Sequence, residues 1–300
     1  MTPQGGTEIM VRGLQHRMPV HTWDHINLIT SVCDPVLIDP HKKNVLWQHL
    51  NVDQPAVQGI TNPDFWQALH AVVFVSHWQA EQFRKTFQLP MHKCVVIPNC
   101  VQPAPITPKL DAPIKHITYT STPWRGLEVL LQSVCLLNRS DYHVHVFSST
   151  LIYGDEFHAQ QHDQYAHLWD ACEKLPQVTL HGYQPHDVIL NHLAHKCDIW
   201  ALPSIWEETF CLSALEALSA GCKVVTTGLG ALPELCGAWA HTVAFAPNPQ
   251  VLSLRFAQAL DHVLNLDNLQ NMSQAAYYQQ NYSWDNVLPK WQQLFGYLTS

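Results

Sequence analysis

The chain has 300 residues, enough for two domains of ordinary size, and its 47% hydrophobic and 13% charged content favours a sizeable core over disorder. Its formal net charge is -8 with only 16 lysines and arginines, which argues against a nucleic-acid-binding surface because such a surface needs a basic stripe. The nine cysteines include no Cys-x-x-Cys pair, and most lie in apolar runs. We therefore expect reduced, buried thiols in a cytoplasmic protein.

The N-terminus has no apolar signal core, and no run approaches the length of a membrane span. Gly5 and Gly6 precede a helical stretch over residues 9–17. Two glycines before a helix let a ligand approach its N-terminus closely, although a plain N-terminal turn explains them equally well.

The next segment alternates short strands with helices. Strands are predicted over residues 26–30, 45–47, 71–75 and 95–97, a short helix over 65–70, and a helix capped by Ser76 over 78–87. His49 follows the second strand, and ligands bind beyond the carboxyl ends of parallel strands. His49 could therefore orient a hydroxyl or bind a carbonyl oxygen, whereas a structural role is the common alternative.

Prolines cluster between residues 98 and 113, which is typical of a linker, so we place a domain boundary near residue 108. A strand over 114–119 then leads through a loop to an amphipathic helix over 127–137. Arg125 lies in this loop, at the helix start, where a surface role is disfavoured by the helix dipole. A guanidinium group there could hold a phosphate through two hydrogen bonds.

Further strands are predicted over residues 142–147, 178–182 and 198–202, with a helix over 187–195 and a polar, partly helical stretch over 150–172. Alternating strands and helices favour parallel sheets with helices on both faces, an α/β fold. The chain also has 20 histidines. We interpret them as surface or core residues, because a metal site needs more ligands than the pairs at 143 and 145 or at 192 and 195 supply.

The most informative stretch runs from Pro203 to Glu234. A buried strand ends before Pro203, a helix covers residues 212–220, and a second buried strand covers 224–227. Gly221 ends the helix, while Gly228 and Gly230 open another loop before Leu232-Pro-Glu can begin a further helix.

Two carboxylates, Glu208 and Glu216, frame the start of the helix at 212. The free backbone N–H groups near Phe210, Cys211 and Leu212 form an anion site suited to phosphate, whereas carboxylates accept hydrogen bonds from sugar hydroxyls. The pattern fits a molecule with phosphate in its middle and hydroxyls at both ends, such as a nucleotide sugar. Two glutamates that merely complement a helix dipole are the simpler alternative, which the flanking strands and the loop at 228–234 disfavour.

The string from Glu208 to Glu216 resembles the paired-glutamate motif of retaining glycosyltransferases of family four, which have the GT-B fold. The resemblance implies that Glu208, with Thr209 beside it, contacts the donor sugar and that Glu216 binds the nucleotide ribose. The family usually has glycine at the position of Cys211. It also implies a GT-B chain of two Rossmann-like domains facing a cleft.

Other positions follow from the same resemblance. Arg125 matches a cation that serves the donor pyrophosphate, although the family's upstream arginine is absent from the loop, where Thr120, Ser121 and Thr122 stand. His49 would lie near the donor sugar and Gly5-Gly6 in the cleft. Gly182 and Tyr183 would contact the base, with core packing as the alternative for Tyr183. The first strand of the family's N-terminal domain is missing, so this domain is expected to be shortened.

After Glu234, helices are predicted over residues 250–264, 268–281 and 285–298. The segment from Tyr282 to Asp285 resembles the end of the family, which implies that the last helix crosses back onto the first domain, anchored by Trp284, Trp291 and Phe295. We therefore predict a shortened acceptor-side domain over 1–108, a nucleotide-sugar-binding domain over 109–281 and a crossing helix over 282–300.

The predicted function is retaining, metal-independent transfer of a sugar from a nucleotide-diphosphate sugar, with no cofactor. The acceptor stays open among a glycan, a lipid and a protein, and peripheral contact with a membrane is compatible with the sequence. Two alternatives remain: an epimerase of the same fold, and a protein that binds a nucleotide sugar without turnover. A nicotinamide dehydrogenase is disfavoured, because no Gly-x-Gly-x-x-Gly follows a strand.

Overall fold

The computed structural model describes residues 5–102, 104, 106, 108–109, 112–267 and 271–300. The first part of the chain forms a sheet whose four strands are parallel and lie in chain order. They are β1 (Ile26–Thr30), β2 (Lys43–Gln48), β3 (Leu69–Phe74) and β4 (Cys94–Val96). The four predicted strands of this region are confirmed, with ends shifted by one or two residues.

Four helices accompany this sheet: α1 (Gly6–Arg17), α2 (Thr22–His25), α3 (Pro63–Ala68) and α4 (His77–Phe87). The cap predicted at Ser76 is present, since its hydroxyl accepts a hydrogen bond from the backbone N–H of Gln79. Apolar side chains of β1, β2 and β3 make separate contacts on the two faces of the sheet, because successive residues of a strand point to opposite sides.

The second sheet has six parallel strands in the order β10-β9-β8-β5-β6-β7. They are β5 (Lys115–Thr120), β6 (Tyr142–Phe147), β7 (Val178–Leu180), β8 (Ile199–Leu202), β9 (Lys223–Thr227) and β10 (Ala240–Val243). Strand β10 was not predicted, because this short edge strand is mostly half-exposed and lacks a continuous apolar run. The strand order reverses between β5 and β8, and this switch point is where open α/β sheets bind ligands.

Nine further helices follow in the described residues. They are α5 (Leu127–Leu136), α6 (Asp155–Gln161), α7 (Ala166–Lys174), α8 (His186–His195), α9 (Leu212–Ser219), α10 (Leu232–Cys236), α11 (Pro249–Leu264), α12 (Asn271–Tyr282) and α13 (Trp284–Thr299). The predicted helix over 268–281 corresponds to α12. Its predicted residues 268–270 lie outside the described residues. None of the helices in the described part of the chain is long and apolar enough to cross a membrane.

The last helix, α13, packs against the first sheet. The Trp291 ring lies 4.6 Å from the Trp47 ring of β2, measured between ring centroids. Trp284 lies against Gly13 of α1, where an added Cβ would overlap its ring, and the Arg17 guanidinium lies 4.6 Å from the centre of that ring. The boundary near residue 108 stays a prediction; it falls between the two sheets.

A row of histidines crosses one face of the second sheet. Nδ1 of His116 lies 2.9 Å from Nε2 of His145, and Nδ1 of His145 lies 3.0 Å from Nε2 of His181. Burial, with neighbouring histidines, lowers the pKa of His145 to about 3 and that of His192 to about 4, so both rings are neutral at pH 7. Among the described residues no group of side chains is arranged to hold a metal ion.

Replacing Trp291 by alanine tests the docking of α13. Trp291 is 1% exposed, and removing a large buried ring leaves a cavity that costs roughly 3–5 kcal/mol. We expect a clear fall in the thermal midpoint, followed by circular dichroism. Tyr297→Ala is the matched control on the same helix, because Tyr297 is 79% exposed. An equal fall in both variants would contradict the assignment of Trp291 as the anchor.

Candidate functional site

An ion pair lies at the switch point of the second sheet. Nη1 of Arg125, in the loop after β5, donates to Oε1 of Glu208, in the loop after β8, across 2.6 Å. The side chains are 21% and 13% exposed, so the pair is largely shielded from water yet reachable. The structure brings into contact the two residues that the resemblance assigned to the donor pyrophosphate and to the donor sugar.

The surroundings of Arg125 favour its charged form. Burial alone would lower its pKa, but the charge and hydrogen bond of Glu208 raise it. The guanidinium also lies 5.0 Å from the centre of the Trp206 ring, a cation–π distance. Arg125 is therefore held in place on two sides and carries its charge at any physiological pH.

Two glycines allow the loops to approach one another. Gly126 has φ of 115°, and a Cβ there would overlap the carbonyl oxygen of Pro203. Gly230 has φ of 61°, and a Cβ there would overlap the backbone of Glu208. The N–H of Ala231 also donates to the Glu208 carbonyl oxygen, 2.7 Å away. The loops after β5, β8 and β9 thus share one small region, which these two glycines make possible.

Helix α9 begins at Leu212, with Cys211 as its N-cap residue. The free N–H groups of a helix begin at its N-cap residue, here Cys211, so Phe210 lies before them. The Phe210 ring is buried. No side chain at the N-cap satisfies these donors. A Cβ added to Gly6 would lie 3.7 Å from Leu212, so the Gly5-Gly6 turn at the start of α1 lies directly beside the start of α9.

Cys211 adopts an unusual backbone geometry, with φ of 77° and ψ of 80°. Residues other than glycine rarely adopt positive φ, because their Cβ crowds the backbone. The resemblance pointed to glycine at this position, and the structure keeps a glycine-like geometry although a thiol stands there.

The second glutamate of the motif has a different partner. Glu216, on the second turn of α9, accepts a hydrogen bond from Nε2 of His186, the first residue of α8, across 2.6 Å. Both side chains line a cavity of about 270 Å³ between α1 and the pair α8 and α9. His186 was not identified from the sequence; its place just after Gly182-Tyr183 was the available signal.

Tyr153 is a further residue that sequence reasoning missed. Its ring edge lies 3.8 Å from the position of a Cβ added to Gly5, and the ring stacks on Trp124 at 5.8 Å. Burial raises the pKa of Tyr153, and the nearby Arg125 opposes this shift. The polar stretch over 150–172 therefore contributes an aromatic side to the site.

Gly182 and Tyr183 were predicted to contact a base. Gly182 has φ of 62°, and a Cβ added to it would meet no atom within 4 Å. The described residues that line the cavity at Glu216 include neither of them. Their predicted contact with a base stays a prediction.

Hydrogen bonds join the loop after β8 to the first sheet. Thr209 donates its hydroxyl hydrogen to the carbonyl oxygen of His49, 2.8 Å away, and its own carbonyl oxygen accepts from Ser76 at 2.7 Å. His49 follows β2 and Ser76 follows β3, so the carboxyl ends of the two sheets face one another across Thr209. The main-chain carbonyl of His49, and not its ring, carries the contact.

The His49 ring is enclosed. Burial lowers its pKa to about 3, so the imidazole is neutral, and it lies 4.7 Å from the Trp47 ring. Its Nε2 atom is buried and has no hydrogen-bond partner among the described residues. A buried ring nitrogen without a protein partner is uncommon, and this one lies just past the carboxyl end of β2.

Glu234 caps a helix of the opposite sheet. Its carboxylate accepts hydrogen bonds from the backbone N–H groups of His77 at 2.9 Å and Trp78 at 2.8 Å, at the start of α4. With the Ser76 hydroxyl on Gln79, three of the first amides of α4 are satisfied by side chains. From the sequence, Glu234 was identified only as part of a helix start, because its partner lies 157 positions away.

Two parallel α/β sheets with facing carboxyl edges define the GT-B architecture of glycosyltransferases. Among solved structures, the chain is similar to a glycosyltransferase of Rickettsia africae, with 15% identity, a TM-score of 0.67 and coverage of 100% of this chain and 84% of that one. The chain is also similar to sucrose-phosphate synthase of Thermosynechococcus elongatus, with 14% identity, a TM-score of 0.70 and coverage of 98% of this chain and 79% of that one. A third similar structure is Anabaena HepE in complex with UDP and glucose, with 15% identity, a TM-score of 0.68 and coverage of 99% of this chain and 84% of that one.

Residues 120–279 match the family described as glycosyl transferases group 1. The chain belongs to this family, and the predicted GT-B fold is confirmed. No curated protein sequence matches the chain.

Cys211→Gly tests the backbone strain at the helix start. An L-residue with positive φ costs roughly 1–2 kcal/mol, and the larger unfolded-state entropy of glycine offsets part of the relief. We expect a gain in stability of about 0.5–1 kcal/mol in urea unfolding. Cys135→Gly, in the last turn of α5 and exposed, is the control, and it should be neutral or weakly destabilising because glycine is the poorer helix former. Destabilisation by Cys211→Gly would refute the strain.

Glu234→Ala tests the cap across the cleft. Loss of a helix cap costs about 1 kcal/mol, so the amide protons of His77 and Trp78 should exchange with solvent roughly fivefold to tenfold faster. Hydrogen exchange read by NMR or mass spectrometry measures this effect. Glu207→Ala, in the neighbouring loop and exposed, is the control and should leave both amides unchanged. Unchanged exchange in Glu234→Ala would show that the carboxylate contributes nothing to this junction.

Proposed function

We propose that this glycosyltransferase moves a sugar from a nucleoside-diphosphate sugar to a hydroxyl group of an acceptor, with retention of anomeric configuration. The observation that carries the proposal is the contact between Arg125 and Glu208, 2.6 Å apart beside the start of α9. A phosphate ligand and a hydroxyl ligand thus stand next to one another, as the junction between a diphosphate and a sugar requires.

Donor binding would separate this ion pair. The diphosphate takes the Arg125 guanidinium and the N–H groups at the N-cap of α9, while the Glu208 carboxylate accepts from sugar hydroxyls. Two charge-assisted contacts to the donor then replace one between side chains, so the exchange leaves neither charge buried without a partner.

In the transfer step, the bond between the anomeric carbon and the diphosphate oxygen breaks, and the electron pair leaves with the diphosphate. The acceptor oxygen bonds to the same face of the carbon, and its proton passes to the departing phosphate oxygen. Arg125 and the α9 amides stabilise the negative charge that develops on the diphosphate. This route needs neither a metal ion nor a further cofactor.

The remaining predicted residues have places in this scheme. Glu216 binds the ribose, and the Gly5-Gly6 turn lets the diphosphate approach the α9 start. Thr209 positions Glu208 through its contacts with the first sheet. The neutral His49 ring is a candidate partner for a sugar hydroxyl, and Gly182 and Tyr183 stay candidates for the base.

UDP is the first donor nucleotide to test, because the similar HepE structure contains UDP and glucose. We expect the acceptor, whether a glycan, a lipid or a protein, to bind against the first sheet. We place the reaction in the cytoplasm, in agreement with nine free thiols.

A second candidate function is donor binding without transfer. Thr120, Ser121 and Thr122 occupy the loop where the resembling family has a second cation, and Cys211 strains the helix start. Arg125 is then the one cation of this loop that joins the α9 amides in stabilising the leaving group.

A transfer assay with a matched pair of variants tests the proposal. Purified protein is screened with a panel of nucleoside-diphosphate sugars by thermal shift, and release of the nucleoside diphosphate is then measured with candidate acceptors. Glu208→Gln and Arg125→Met should each lower turnover by roughly a hundredfold, because each removes a charged contact to the transition state. Glu207→Gln, one residue away and exposed, should leave turnover unchanged.

The results separate the two candidate functions. Donor stabilisation with turnover supports transfer, and stabilisation without turnover on any acceptor supports the binding protein. A wild-type protein that no nucleoside diphosphate or nucleotide sugar stabilises would refute both.

A further inference from the structure

The carboxylate of Glu216 is almost enclosed, with 7% of its side chain exposed, whereas the His186 side chain is 36% exposed. An enclosed carboxylate needs a donor, because an unpaired buried charge is strongly unfavourable. His186 supplies one at 2.6 Å from Oε1. The second oxygen, Oε2, has lone pairs of its own and can accept from a ligand while the first is held.

The pair stands in the wall of a groove and not on open surface. The cavity of about 270 Å³ has Ile9, Met10 and Gly13 of α1 on one side and His186, Leu190 and Glu216 on the other. A ligand group that enters from the start of α9 would therefore meet Glu216 and His186 together.

The charged groups that face His186 come from three elements. Glu216 of α9 and Asp187 of α8 favour the imidazolium, and Arg12 of α1 opposes it. Burial alone would lower the pKa of His186, but the hydrogen bond and charge of Glu216 outweigh burial, so the pKa is raised. Arg17 of α1 also lines the groove.

We propose that His186 is a positioning residue for the donor: it fixes the Glu216 carboxylate so that Oε2 accepts from the two vicinal ribose hydroxyls. This inference rests on the proposed function, since it assigns a ribose to Glu216. Without His186, the carboxylate loses its fixed rotamer and must bind the ribose at the cost of its own ordering.

The role makes a specific prediction about which ligands are affected. Ribose-bearing nucleoside diphosphates depend on the Glu216 carboxylate, whereas 2′,3′-dideoxynucleoside diphosphates have no hydroxyls for it to accept from. His186→Ala should therefore weaken binding of UDP by tenfold or more and leave binding of 2′,3′-dideoxy-UDP within about twofold. His186→Gln, which keeps an N–H donor, should recover most of the loss.

Isothermal titration calorimetry with UDP and 2′,3′-dideoxy-UDP measures these differences, with His195→Gln as the control. His195 lies at the other end of α8 and is exposed, so this variant should bind as the wild type does. Thermal melts of every variant verify folding before the titrations.

A pH series adds a readout that a purely structural residue would not change. As the pH rises through the raised pKa of His186, the imidazolium that holds Oε1 is lost, so the wild-type dissociation constant for UDP should increase. In His186→Gln this rise of the dissociation constant with pH should be absent. The diphosphate titrates equally in both experiments, so its contribution cancels when the two pH profiles are subtracted.

Failure of this inference differs from failure of the proposed function. The positioning role is overturned if His186→Ala weakens binding of UDP and of 2′,3′-dideoxy-UDP equally, or if the wild type and His186→Gln have identical pH profiles. Donor binding by the protein would stand in either case. No binding of UDP or any other nucleoside diphosphate by the wild type overturns the proposed function, and this inference with it.

Discussion

The close approach of three backbone segments at the carboxyl edge of the second sheet is the constraint on which the structure depends. The strands are parallel, so their carboxyl ends meet, and the loops after β5, β8 and β9 have to share one small space. Gly126 and Gly230 supply the room, because a side chain at either position would overlap the backbone of the loop beside it. Only in this arrangement does the Arg125 guanidinium reach the Glu208 carboxylate.

The candidate site is built around a single pair of charged side chains, Arg125 and Glu208. The chain has 24 acidic and 16 basic residues apart from its 20 histidines, and one arginine stands at the centre of the candidate site. Glu208 holds it in the absence of a ligand, which removes the penalty of an unpaired buried charge. In the proposed function, the same pair is both the contact between the two loops and the set of groups that binds the nucleotide sugar.

Much of the fold could be predicted from the sequence, because both sheets are buried and parallel. Runs such as residues 71–75 and 224–227 are apolar, β-branched and bounded by loop residues, which fixes their state locally. The edge strand β10 was missed since half-exposed residues carry no such pattern. Arg125, Glu208 and Glu216 could be singled out as candidates because short motifs, each within one loop or helix start, contain them, and their roles stay predictions.

Contacts between distant segments could not be predicted in the same way. The bond of Glu234 to the start of α4 joins residues that no motif or periodicity links, and it exists only when both sheets are in place. The partner of Glu216, His186, belongs to another helix, and a histidine among 20 carries little information by itself. Cys211 shows the opposite case: the resemblance indicated glycine at this position, and the structure has a positive φ there that a cysteine disfavours.

Thr209 links the loop that carries Glu208 to the first sheet. Its hydroxyl and its carbonyl oxygen are bonded to the ends of two neighbouring strands of the other sheet, and it directly follows Glu208 in the chain. If a sugar binds Glu208 as proposed, any shift of this loop would also move the residues that follow β2 and β3. Occupation of the site on the second sheet would then be felt at the edge of the first sheet through these two hydrogen bonds.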